Sequence, residues 1–164
     1  DYTSLQDFQI TYLYGIEFPL PNTLKNLIIT NNIDFYTFTP FYPLPTSLIN
    51  LILNNNSLSS FNLNANVPVS LSIIDISNNR INNSFIFLTW LVNAVNLNSF
   101  YAQNNLLSVN EVNLALTRMA SATYTSIPPR NLFLNSQTPL APPSGAGITA
   151  KITLISNGWI VNTD

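Results

Sequence analysis

A chain of 164 residues is one domain's length and long enough to bury a core. Only 7% of its residues are charged, against about a quarter in an average soluble protein, and five Lys+Arg face seven Asp+Glu, all scattered. That pattern excludes a basic stripe for nucleic acid or for an anionic membrane. With no histidine and no cysteine, the commonest general base, thiol nucleophiles, disulfides and soft metal sites are missing too.

In chain order, residues 5–18 place Leu5, Phe8 and Ile10 as a first strand but put Leu13 where later segments carry asparagine. A proline-marked connector follows, Phe18-Pro19-Leu20-Pro21, and returns as Tyr42-Pro43-Leu44-Pro45 and, reduced, as Val67-Pro68-Val69. Proline fixes φ and removes a donor, so these connectors predict extended chain rather than helix. Each connector leads into a short apolar segment of one design. The fullest copy is Leu48-Ile49-Asn50-Leu51-Ile52-Leu53-Asn54-Asn55-Asn56-Ser57-Leu58, an L-x-x-L-x-L-x-x-N-x-L pattern. It reads as a strand with Leu51 and Leu53 inward, a sharp turn at asparagine, and a leucine returning to the core.

Copies start at Leu24, Leu48, Leu71 and Leu97, and a fifth at Pro129 has glutamine at the asparagine slot. The copy at Leu24 slips after its asparagine, putting Asp34 where an apolar residue is due. Asn32, Asn56, Asn79, Asn105 and Gln137 form one column. Buried amides both donate and accept, so this column is expected to be a structural ladder joining neighbouring turns.

Helices are expected at two places before the end. Ser84 caps an apolar run to Val95, too short for a membrane span, and Ser108-Val109-Asn110-Glu111 is a capping box. The second opens a helix with the stripe Val109, Val112, Leu116 and Met119, and residues 121–130 form a Ser/Thr/Pro loop. Past the turn Pro142-Pro143-Ser144-Gly145, Ile148, Ile152 and Ile155 share one helical face, Gly158 is a stop, and WIVNT is a last strand.

The repeated pattern resembles leucine-rich repeats over roughly residues 5–140. The resemblance implies an α/β solenoid of about six coils over 1–140, with a parallel sheet on the concave face and an irregular and helical convex side. Residues 141–164 then supply a C-terminal helix–strand cap. The string PPSGAGITAKITLISNGWIVNTD looks like the closing segment of leucine-rich-repeat regions in tailed-phage structural proteins and some bacterial surface proteins. That likeness implies a head-fibre, tail-fibre or decoration protein on a virion surface, or an extracellular adhesin.

Chemistry is sparse. Gly145-Ala146-Gly147 lacks the third glycine and the preceding strand of a dinucleotide loop, and Asp75 has no second carboxylate in phase. The sequons at Asn55 and Asn82 are expected by chance in so asparagine-rich a chain. No enzyme, cofactor or metal is expected. What remains is the outward strand face. Tyr101 and Phe133 are candidate stacking platforms, with Asp75, Asn54, Gln103, Asn78 and Asn104 as polar partners for a host-surface glycan or protein. A second reading makes the face merely solvated and the chain a structural spacer. The sequence opens on Asp1, and the first strand has no visible cap, so an upstream domain or another chain is expected to pack on residues 2–18.

Overall fold

The structure, a computed structural model, describes residues 7–10 (backbone pairing only), 19–40, 42–63, 67–82, 90–91 and 93–164. Most of the segment 2–18 and residues 84–89 and 92 of the helix expected from Ser84 lie outside those residues. Within the described part of that expected helix, Trp90 and Leu91 are buried in a tight turn rather than an α-helix.

The chain is α/β. Seven strands make an open, parallel sheet: β1 (Asp7–Ile10), β2 (Asn26–Ile29), β4 (Asn50–Ile52), β6 (Ile73–Asp75), β7 (Ser99–Tyr101), β8 (Arg130–Phe133) and β9 (Trp159–Asn162), side by side in that order. Two further strands, β3 (Thr37–Phe38) and β5 (Ser60–Phe61), pair in parallel as a separate small sheet. Helices α1 (Val109–Ser121) and α2 (Ala146–Ser156) pack on each other, and α2 also lies against β9. Equal spacing of the apolar slots sets the register: Leu27 faces Leu51, Leu51 faces Ile74, Ile74 faces Phe100, and Phe100 faces Leu132. All five are fully buried.

The connectors close in a way that extended chain alone does not describe. Leu24 N–H donates to Pro21 O, Leu48 to Pro45, Leu71 to Pro68 and Leu97 to Ala94, each at 3.0 Å. One turn thus delivers every first-slot leucine to the core, and three times a proline opens it. After Asn32 the chain takes one extra residue. Ile33 points to solvent, Asp34 is passed over, and Phe35 fills the place that Leu58, Ile81 and Leu107 fill elsewhere.

Phe35 also begins a run of aromatic contacts through the core. It meets Phe38 edge-on at 6.2 Å, Phe38 stacks on Phe61 at 5.8 Å, and Trp90 bridges Phe61 and Phe100 edge-on at 5.8 and 6.2 Å. Such pairs add about 0.5–1.5 kcal/mol each beyond area burial. They link the small sheet to the large one.

At the C-terminal end, α1 begins with both halves of its capping box. Ser108 N–H donates to Glu111 Oε2 at 2.7 Å and Glu111 N–H to Ser108 Oγ at 3.4 Å. The structure adds which way the isoleucine face of α2 turns. Ile148, Ile152 and Ile155 are 49%, 63% and 51% exposed, and the face turned inward carries Gly147, Ala150 and Leu154. Close approach of α1 is the reason. A Cβ on Gly147 would stand 2.0 Å from Asn113 Oδ1, and that same oxygen accepts from Ser144 N–H at 2.9 Å. Small residues permit that approach, so the bulky ones turn outward.

Candidate functional site

Alternation along each strand sends one set of side chains into the core and the other to the opposite side of the sheet. On that outer side the register makes rows across neighbouring strands. One row reads Ile28, Ile52, Asp75, Tyr101, Phe133 and Asn162. The next, just past the strand ends, includes Asn54, Ser77, Gln103 and Asn135.

The structure brings Tyr101 and Phe133 together, edge to face, with ring centroids 5.3 Å apart at 73°. Both are half-buried, so each ring keeps part of its surface for solvent or a ligand. Asp75 sits beside Tyr101 in register. Its Oδ1 is engaged locally, accepting from Ser77 N–H at 2.9 Å and Ser77 Oγ at 2.6 Å. Gln103 Oε1 and Asn135 Oδ1 have no hydrogen-bond partner among the described residues. Asn54 is half-buried on the strand-end row.

Asn78 and Asn104 have a conformational task before any other. Asn31, Asn55, Asn78, Asn104 and Ser136 hold φ of 61°, 56°, 53°, 56° and 59°, the left-handed region. Asparagine tolerates this region better than other side chains. Each stands one residue before the ladder column, which explains the paired asparagines. The Asn104 amide also donates to Asn78 Oδ1 at 2.7 Å, so these two side chains partly satisfy each other.

Behind them lies the amide column. Asn56 Oδ1 accepts from Asn32 N–H at 2.8 Å, and its amide donates to Ile29 O and Leu53 O at 2.7 and 2.8 Å. Asn79 accepts from Leu58 N–H and donates to Leu53 O and Ile76 O. Asn105 accepts from Ile81 N–H and donates to Ile76 O and Ala102 O. Gln137 repeats the arrangement with Leu107 N–H, Ala102 O and Leu134 O. Asn32 donates to Thr30 O at 2.9 Å. The amides of Asn56, Asn79, Asn105 and Gln137 each join their own turn to the turn before it.

Two features escape the sequence reading. Asp164 ends the series, its carboxylate accepting from the backbone N–H groups of Ser136, Gln137 and Ala141. On the core side, Arg130 is buried between Tyr124 and Trp159. Arg130 is in phase with Leu132 and Leu134, but that phase alone does not announce it, since Lys25 and Ile49 at the same slot of earlier copies are exposed.

Among the described residues no three His, Cys, Asp or Glu side chains cluster as a metal site, and no helix is long and apolar enough to cross a membrane. No protein-family model, curated protein or solved structure matches the chain.

Proposed function

We infer that the chain is a leucine-rich-repeat solenoid and a non-enzymatic recognition module, working through the outer face of its large sheet. Parallel strands contributed one per repeat, and an amide at one slot joining each turn to the last, support the solenoid reading. The Tyr101–Phe133 pair is the observation that carries the functional reading. Two half-exposed rings at 73° offer one flat platform and one edge beside the Asp75 carboxylate, a surface that suits a sugar ring and its hydroxyls. In this reading the module sits on the outside of a virion, as a fibre or decoration protein binding host-surface glycan, or on a bacterial surface as an adhesin, a reading supported by the resemblance of the C-terminal segment. An upstream domain or another chain packed on residues 2–18 belongs to the same reading, since β1 stands at the sheet edge.

A second reading, a structural spacer, is favoured by the Asn104–Asn78 bond and by Asn50 donating to Asn26 Oδ1 at 2.5 Å. Amides engaged with one another need no ligand. Retention on a glycan array decides between the two. Tyr101→Ala and Phe133→Ala are expected to abolish binding while leaving far-UV circular dichroism unchanged. Undiminished retention of both variants, or no binding by the parent chain, overturns the recognition reading in favour of the spacer.

A further inference from the structure

We propose that the cavity on the core side of β8 and β9, between the C-terminal ends of α1 and α2, binds a small organic carboxylate, with Arg130 as its anchor. The cavity measures about 270 Å³ and is lined by Met119, Tyr124, Arg130, Leu154, Asn157 and Trp159, among others. It lies across the sheet from Tyr101 and Phe133, so it is independent of the outer face.

The cavity wall carries an incompletely compensated charge. Arg130 is 7% exposed, and among the described residues no carboxylate pairs with it. A buried cation without a counter-ion is costly, and proteins rarely carry one. What holds it is neutral. Nε–H donates to Ser126 Oγ at 2.9 Å, one Nη1–H to Asn157 O at 3.1 Å, and one Nη2–H to Ser126 O. The guanidinium carbon lies 5.7 Å from the Tyr124 ring centroid and 5.8 Å from that of Trp159. Asn157 is the C-cap of α2, and a helix C-terminus offers about half an elementary charge. A full positive charge is therefore only partly balanced.

The geometry of the remaining donors sets the ligand class. Arginine has five N–H groups, and three are engaged, which leaves one on each Nη. One N–H on each of the two Nη atoms is the donor set with which a guanidinium can meet a carboxylate. Tyr124 lines the same cavity, and its buried hydroxyl has no partner among the described residues. Burial pushes that phenol up, against the downward pull of Arg130, so it stays protonated as a donor. Among the described residues no acidic side chain lines the cavity. Met119, Leu154 and the Trp159 ring give the ligand's body an apolar and aromatic wall. A volume just below the usual pocket range of about 300–1,000 Å³ limits that body to a single ring.

Ring carboxylates come from two sources, aromatic acids and uronic sugars, and one experiment separates them. The full 164-residue chain, labelled with ¹⁵N, is titrated with benzoate, with glucuronate and with uncharged benzyl alcohol. The Arg130 Nε–H and Trp159 indole signals are followed. At least one carboxylate is expected to shift both signals saturably, with benzyl alcohol at least tenfold weaker. Tyr124→Phe, which removes only the hydroxyl, is expected to weaken that carboxylate by about three- to tenfold with the spectrum otherwise preserved. Benzoate alone assigns an aromatic acid, and glucuronate alone assigns an acidic sugar. No saturable shift with either carboxylate overturns the proposal. So does equal binding of benzyl alcohol, or a Tyr124→Phe variant that binds as well as the parent.

Discussion

A pair of adjacent asparagines divides two tasks that one residue cannot perform. In Asn78-Asn79 the first turns the chain through the left-handed region and the second carries the buried bonds. Left-handed backbone costs most side chains roughly 1–2 kcal/mol and glycine almost nothing. Asn78→Gly is therefore expected to unfold in urea near the parent midpoint, whereas Asn78→Val should lose about 1–2 kcal/mol. The neighbour fails differently. Asn79→Ala removes one acceptor and two donors from a buried turn, leaving Leu58 N–H and several carbonyls unmet, at a cost of roughly 1–3 kcal/mol. Asn110→Ala, exposed in the first turn of α1, should cost under about 0.5 kcal/mol. Equal losses at Asn79 and Asn110 would contradict the ladder. The sequence makes this column legible because every amide recurs at one slot. It hides the left-handed column, which composition alone cannot tell from a solvated face.

At the scale of the element, period and length are easily read, whereas orientation depends on what approaches. The α1 stripe and its capping box follow directly from spacing, since Val112, Leu116 and Met119 share one face of a 3.6-residue helix. The same reasoning places Ile148, Ile152 and Ile155 on one face without saying which way it turns, and the structure turns that face out. Helix α2 is apolar on nearly every side, so periodicity cannot choose its buried face. Backbone distance chooses it instead, at Gly147 against Asn113. Gly147→Ala is accordingly expected to destabilise by about 1–3 kcal/mol through overpacking, although alanine is the better helix former. Ile152→Ala, on the exposed face, should change stability by about 0.5 kcal/mol or less. Urea midpoints of the two variants check this, and a larger loss at Ile152 would show that the buried face is the isoleucine face after all.

Across the whole molecule, an open parallel sheet leaves two edge strands. The far end is closed by parts that the repeat pattern does not contain: α2 packed on α1, β9 paired with β8, and Asp164 accepting from three backbone N–H groups. A carboxylate suits that last position because it only accepts, and the groups it meets are all donors. An amide would turn its own N–H toward them. Asp164→Asn is therefore expected to lose about 1–3 kcal/mol, close to Asp164→Ala, because in both an N–H of the final turn loses its acceptor. Removing the whole closure is more severe. A chain ending at Leu140 would uncover Leu132 and Leu134 and strip the partner from β8, so it should lose cooperative thermal unfolding and sediment as aggregate. Point variants at Asp164 should stay folded with a lowered midpoint. Thermal unfolding followed by circular dichroism, with sedimentation velocity on the same samples, checks the order. A truncated chain that stays monomeric and melts as sharply as the parent would show that the large sheet is stable without its last strand.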